Sequence, residues 1–154
     1  MRVSSVMSKR VVSVKENDSL HDVVDKLAYN NISSLPVVRG GKLVGMVSES
    51  DVIKTIDAYS PKIHFDTDSS FAIVLTVLKQ KSFSAMKSNI VNSGKIRVKD
   101  FMNHTPHTIS PDADIYDAAR AMNKHKMKML PVIDKSKKVL GIIAKADIIR
   151  ALAR

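Results

Sequence analysis

The sequence predicts a mixed α/β fold (α+β): two β-α-β-β-α repeats packed pseudo-symmetrically, with a helical insert between them. Three observations predict it. The chain repeats itself at long range, with GMVSESD at residues 45–51 and GIIAKAD at residues 141–147. Within each copy, short apolar runs of strand length alternate with stretches whose apolar residues recur at helical spacing. Turn and cap residues fall at matching places in both copies.

The repeat is legible residue by residue. A shift of 95 aligns Arg2-Val3 with Arg97-Val98, Met7 with Met102, Leu20 with Ile115 and Leu35-Pro36-Val37 with Leu130-Pro131-Val132. One extra residue near Lys137 then makes the shift 96, so that Gly45 meets Gly141 and Asp51 meets Asp147. A hairpin turn tolerates such a length change.

Element by element, residues 11–14 of the first copy predict a short strand. Asn17-Asp18-Ser19 caps a helix over residues 20–29 that puts Leu20, Val23, Val24 and Leu27 on one face. Residues 35–38 and 42–47 read as strands around an Arg39-Gly40-Gly41 turn, and a helix over residues 49–58 closes the unit. The second copy repeats this order at residues 107–109, 113–124, 129–133, 139–143 and 145–153. One copy of about 55 residues buries little apolar surface alone; two packed together bury a core. The organisation read from this is repeat one at 1–59, insert at 60–96 and repeat two at 97–154. In the insert, Asp68-Ser69-Ser70 reads as a helix start. Phe71, Val74, Leu75 and Leu78 follow on one stripe, which Phe83, Met86 and Ile90 extend, and Asn92-Ser93-Gly94 ends it. Such a helix packs on the paired core, pads a dimer interface or binds a partner.

Composition bounds the function. The net charge is +10, with 8 basic and 7 acidic groups in residues 1–60, 5 and 2 in 61–96, and 12 and 6 in 97–154. That excess attracts polyanions such as nucleic acid, anionic lipid or nucleotide phosphates. Aromatics are 5% with no tryptophan, so platforms for stacking single-stranded bases are scarce. The absence of cysteine excludes disulfides and thiolate metal sites and fits a reducing compartment. No apolar run approaches the roughly 20 residues of a bilayer span, and no signal-peptide pattern opens the sequence, so a cytoplasmic location and no membrane association are expected. His104 and His107 are the closest histidine pair, but no acid or cysteine completes a metal set. No nucleophile elbow or P-loop occurs, so no catalytic residue, metal or required cofactor is expected. The basic clusters at 125–128 and 135–138 read as solvated charge or as polyanion contacts.

The LPVV…GMVSESD run and its echo LPVI…GIIAKAD resemble the cystathionine-β-synthase (CBS) domain, two of which form a CBS pair or Bateman module. The lead-in segments VMSKRVVSV and FMNHTPHTI resemble that family as well. The resemblance covers residues 1–58 and 97–153. It implies a pseudo-two-fold module with two clefts between the repeats that commonly hold AMP, ADP, ATP or S-adenosylmethionine. It further implies that each cleft joins the aspartate of one repeat to the segment before the LPV strand of the other. Asp51 would then share a cleft with Met46, Ser48, Thr105, Met127 and Lys128. Asp147 would share one with Ile142, Arg10, Ile32 and Ser33.

The residue chemistry is compatible with that. One carboxylate accepts a hydrogen bond from each of two cis ribose hydroxyls, which makes Asp51 and Asp147 ribose candidates. Ser48 is a phosphate candidate at a helix start, and the upstream glycine lets backbone approach a ligand. Met46, Met127, Ile142 and Ile32 would sandwich adenine, with Lys128 and Arg10 toward phosphates; core packing explains the apolar four equally. Ser48-Glu49-Ser50-Asp51 is also a capping box that needs no ligand. Ala144 replaces that serine in the second copy, which weakens phosphate binding there; Lys145 either substitutes a charge or is solvated. The expected function is a regulatory sensor of adenosyl ligands, with no enzymatic activity, acting as a homodimer on an unidentified downstream protein. The alternative is a basic nucleic-acid-binding or scaffold protein with unused clefts.

Overall fold

The computed structural model describes residues 1–59 and 83–154. In the first repeat, α1 spans Leu20–Asn30, β1 Ser34–Arg39, β2 Lys42–Ser48 and α2 Glu49–Tyr59. In the second, a short α3 at Val98–Phe101 precedes α4 at Ile115–Lys124, β3 at Met129–Ile133, β4 at Val139–Ala144 and α5 at Lys145–Leu152. The start of α1 follows the predicted cap. Ser19 and Asp22 form a reciprocal box, with the Ser19 amide donating to Asp22 Oδ2 at 2.8 Å and the Asp22 amide to Ser19 Oγ at 3.2 Å. The Ser19 amide first, and then the Ser19 hydroxyl donating to the same Oδ2 at 3.0 Å, hold the Asp22 carboxyl below its usual range. Asp114 caps α4 by accepting from the Tyr116 amide at 2.9 Å.

Both strand pairs are antiparallel hairpins in equivalent register: Leu35 faces Val47 as Leu130 faces Ile143, and Val37 faces Gly45 as Val132 faces Gly141. Gly40 and Gly41, both at positive φ (57° and 78°), make the first turn, which is the conformation a tight hairpin with matching twist requires. The second turn is longer, and Lys137 takes the left-handed position at φ 67°. The strands predicted at residues 11–14 and 107–109 are each reduced to one parallel bridge, Val14 to Val37 and Ile109 to Val132.

The two repeats exchange their lead-ins. Ser8 and Ile142 donate amides to each other's carbonyls at 2.9 Å, so the segment before repeat one lies against β4. Asn103 and Met46 do the same at 2.8 and 3.0 Å, so the segment before repeat two lies against β2. The cores follow. Val3 is buried with Met122, Leu130, Val132 and Ile143 of repeat two. Ile96, Val98 and Met102 are buried with Leu20, Val23, Leu35 and Val47 of repeat one. Packing units therefore cross the sequence boundaries at 59 and 97. A third seam joins the hairpins, where the Leu43 amide donates to Lys137 at 2.9 Å and the Val139 amide to Gly41 at 3.1 Å.

The glycines preceding the two aspartates serve this exchange, which corrects the expectation that they admit a ligand. A Cβ on Gly45 would lie 2.8 Å from the Asn103 carbonyl oxygen, and one on Gly141 would lie 2.7 Å from that of Ser8. The neighbouring lead-in already fills the space.

The insert helix expected from residue 68 lies mostly outside the described residues. Its end is described. Residues 83–86 are helical and run into a wider turn at Lys87–Val91. Ile90 and Val91 are buried in the first core and Met86 packs against it, whereas Phe83 is exposed. Among the described residues no helix is long and apolar enough to cross a membrane.

Candidate functional site

Two features of the repeat create clefts. Each first helix ends in a left-handed residue, Asn31 at φ 50° and Lys126 at φ 55°. The next amide closes back onto the helix, Ile32 to Leu27 at 3.2 Å and Met127 to Met122 at 2.9 Å. The chain then crosses residues 31–33 or 126–128 before entering its strand, and these crossings form walls facing the other repeat.

The first cleft, of about 300 Å³, is lined by Met46, Ser48 and Asp51 of repeat one and by Met127 and Lys128 of repeat two. Sequence reasoning grouped those five. Thr105 is not part of the lining; it is exposed and its amide donates to Asn103 Oδ1 at 3.0 Å. Asn103 lines the cleft instead, with Ser33, Glu49, Lys54 and Lys126. Lys54 was legible as the residue one helical turn after Asp51. Asn103 was not, because its place depends on the exchanged lead-in.

The second cleft, of about 530 Å³, includes Ile32, Ser33, Lys128, Ala144 and Lys145. Asp147, Ile142 and Arg10 are not in its lining. Ile142 is engaged by Ser8 in the backbone bridge described above, and Arg10 is exposed. Ser33, Glu49 and Lys128 line both clefts, with Lys128 Nζ 3.9 Å from Glu49 Oε2.

The two aspartates are held alike at one oxygen and differently at the other. Asp51 Oδ2 accepts from the Ser48 amide at 2.8 Å and from Ser48 Oγ at 2.9 Å. Asp147 Oδ2 accepts from the Ala144 amide at 2.7 Å, and Ala144 has no side-chain oxygen to return the bond. Asp147 Oδ1 is taken by the guanidinium of Arg150. Among the described residues, no hydrogen bond or ion pair is made to Asp51 Oδ1. Capping thus accounts for one oxygen in each copy and leaves the other to be explained.

The histidines take another role than the pair considered from sequence. His107 stacks on His125, ring centroids 3.5 Å apart and planes 18° from parallel. The pair sits just before Lys126. Burial, then the His107 and Lys124 charges, lower the pKa of His125. Among the described residues no three histidine, aspartate or glutamate side chains converge as a metal set. In the 135–138 cluster, Asp134 Oδ1 accepts the Ser136 and Lys138 amides at 2.8 and 3.0 Å, which fixes the turn.

Exchanged lead-ins, paired hairpins and clefts between equivalent crossings describe a two-repeat module, and the model of the CBS domain matches the chain at residues 3–58 and again at 98–154. The chain belongs to the CBS-domain family. The two matches begin at Val3 and Val98, the aligned residues of the two lead-ins. This CBS pair is 34% identical to the uncharacterised protein MJ1426 of Methanocaldococcus jannaschii, over 99% of this chain and 91% of that one. It spans less than half the length of three further relatives from that organism, 28 to 31% identical. Among solved structures it is similar to CBSX2 of Arabidopsis thaliana in complex with AMP, at 25% identity and a TM-score of 0.69, covering 99% of this chain and 96% of that one. It shares its fold with the CBS domain pair of MJ0100, solved with 5′-methylthioadenosine and S-adenosyl-L-methionine, at 24% identity and a TM-score of 0.68, over 99% of each chain.

Proposed function

We propose that this CBS pair is a regulatory sensor that binds an adenosyl ligand, AMP, ADP, ATP or S-adenosylmethionine, in the cleft lined by Asp51. The observation that carries the reading is the state of Asp51. One of its oxygens is fixed by the start of α2, and the other is unengaged by any described residue in a carboxylate that lines a cleft. A ribose diol supplies two donors to such an oxygen. Met46 and Met127 offer soft apolar surface on the same cleft, suited to a base. Lys54, Lys126 and Lys128 offer charge for phosphates or a carboxylate. The likeness to the AMP-bound CBSX2 supports the same ligand class.

The ligand acts by binding two states of the module unequally. Because the cleft walls come from both repeats, and each repeat holds the other's lead-in, a ligand across the cleft bears on the inter-repeat seam. The output is a change of conformation or assembly passed to another protein, and no catalytic step is assigned. The same reading has the protein act in the cytoplasm as a homodimer.

Thermal unfolding of the wild type and Asp51→Ala with each of the four ligands tests this. At about a hundred times its dissociation constant, a bound ligand adds roughly 2.7 kcal/mol of stability. The expected result is an upward shift with at least one ligand that is lost in Asp51→Ala. No shift with any of the four, together with nucleic-acid binding that weakens steeply with salt, would replace this reading by a polyanion-binding one.

A further inference from the structure

The repeats differ at the residue one helical turn after each aspartate. A shift of 96 aligns Lys54 with Arg150. Lys54 lines the first cleft, and among the described residues no ion pair joins it to Asp51. Arg150 instead turns back along α5 and holds Asp147 Oδ1, while the amide of Ala144 holds Oδ2. The Asp147 side chain is left 10% exposed. The second cleft, whose lining includes Ala144, Lys145 and Ala146, does not reach it. Guanidinium and lysine are not equivalent here. The planar fork of arginine fits a carboxylate and is weakly hydrated, whereas an ammonium is strongly hydrated and stays with solvent.

We propose that each chain holds one adenosyl ligand, in the Asp51 cleft, because Arg150 is a built-in occupant of the second ribose-binding carboxylate. This rests on the adenosyl-sensor reading above. A diol in the second cleft would have to compete with a guanidinium that already engages Asp147 Oδ1, in a copy that also lacks the serine hydroxyl. The pseudo-two-fold module is therefore asymmetric in use, and Arg150 sets its stoichiometry.

Isothermal titration of the full chain with AMP, ADP, ATP and S-adenosylmethionine tests this. The wild type should bind with a stoichiometry of one per chain. Ala144→Ser combined with Arg150→Lys writes the repeat-one pattern into repeat two and should raise the stoichiometry to two. Adding Asp147→Asn to that double variant should return it to one. Arg150→Gln alone, which keeps the side-chain length, should expose a second site at least tenfold weaker than the first. Thermal unfolding of each variant confirms that it is folded. Two sites in the wild type, or one site in both the double variant and Arg150→Gln, would overturn the proposal and leave the sensor reading intact. No binding of any of the four would overturn both.

Discussion

In the first repeat Asp51 gives one oxygen to the start of α2 and keeps the other in a cleft that Lys54 also lines. In the second, Asp147 gives one oxygen to the start of α5 and Arg150 takes the other. The backbone around them is nearly the same: equal hairpin registers, equal left-handed exits from the preceding helix, equal bridges to an exchanged lead-in. Symmetry is thus kept where packing needs it and abandoned at the side chains around the two aspartates. The repeats share the backbone of the cleft, and differing side chains, Ser48 and Lys54 against Ala144 and Arg150 among them, give the copies different chemistry. The aspartate alone therefore does not describe its surroundings; the residue a turn later differs between the copies, Lys54 against Arg150.

The largest effect should come from the equivalent core leucines. Leu35 and Leu130 are both fully buried, each in its own repeat's cluster. Leu→Ala at such a site costs about 2–5 kcal/mol, more where the cavity does not collapse. Urea unfolding should show similar losses for Leu35→Ala and Leu130→Ala and a single transition in both. Because Val3 and Val98 each seal the opposite core, loosening one repeat loosens both. Two separated transitions would break the comparison by showing that the repeats unfold independently.

Next come Gly45→Ala and Gly141→Ala. Each added Cβ meets a backbone carbonyl of the exchanged segment, at 2.8 Å from Asn103 and 2.7 Å from Ser8. Backbone yields less easily than a side-chain tip, so overpacking of this kind costs about 1–3 kcal/mol. Hydrogen exchange sharpens the result. The Asn103 and Met46 amides should lose protection in Gly45→Ala, and the Ser8 and Ile142 amides in Gly141→Ala. Loss at both seams from either substitution would show that the lead-ins are coupled.

The hairpins, the long helices and the repeat itself were legible because each writes a local signal: apolar period, cap and turn residue. Residues 129–133 were placed to the residue, and α4 began only two residues later than expected. The burial of each lead-in in the opposite core was not legible in the residues, since Val3 and Val98 look like ordinary apolar residues of the nearest repeat; only the family resemblance set Thr105 and Arg10 against the other repeat. That gap has consequences for the site. Asn103 entered the first cleft unforeseen, and the glycines were misread as ligand-facing. Thr105, expected in the cleft, is exposed two residues past the Asn103 bridge and does not line that cleft. Asp147 was placed by alignment with Asp51, yet its environment is decided by Arg150, three residues downstream. The signal was present in the i, i+3 spacing, but the spacing does not say whether a basic residue turns toward the acid or toward solvent.

The smallest effect tests the crossings that wall the clefts. Asn31 and Lys126 occupy equivalent left-handed positions, φ 50° and 55°. Asparagine tolerates that conformation through its short polar side chain, and lysine does not share the advantage. Lys126→Asn should therefore stabilise the fold by up to about 1 kcal/mol, read as a small rise in the urea midpoint at unchanged slope. Lys126 also lines the first cleft. The same substitution should weaken ATP binding more than adenosine binding, because only the former brings phosphates to the lost charge. A stabilised variant with unchanged ATP affinity would place the phosphates toward Lys54 or Lys128 instead. A variant neither stabilised nor weakened would mean that the lysine stem compensates its own backbone by packing along the cleft wall. The two crossings would then be equivalent in energy as well as in shape, and the difference between the repeats would rest on other side chains, Ala144 and Arg150 among them.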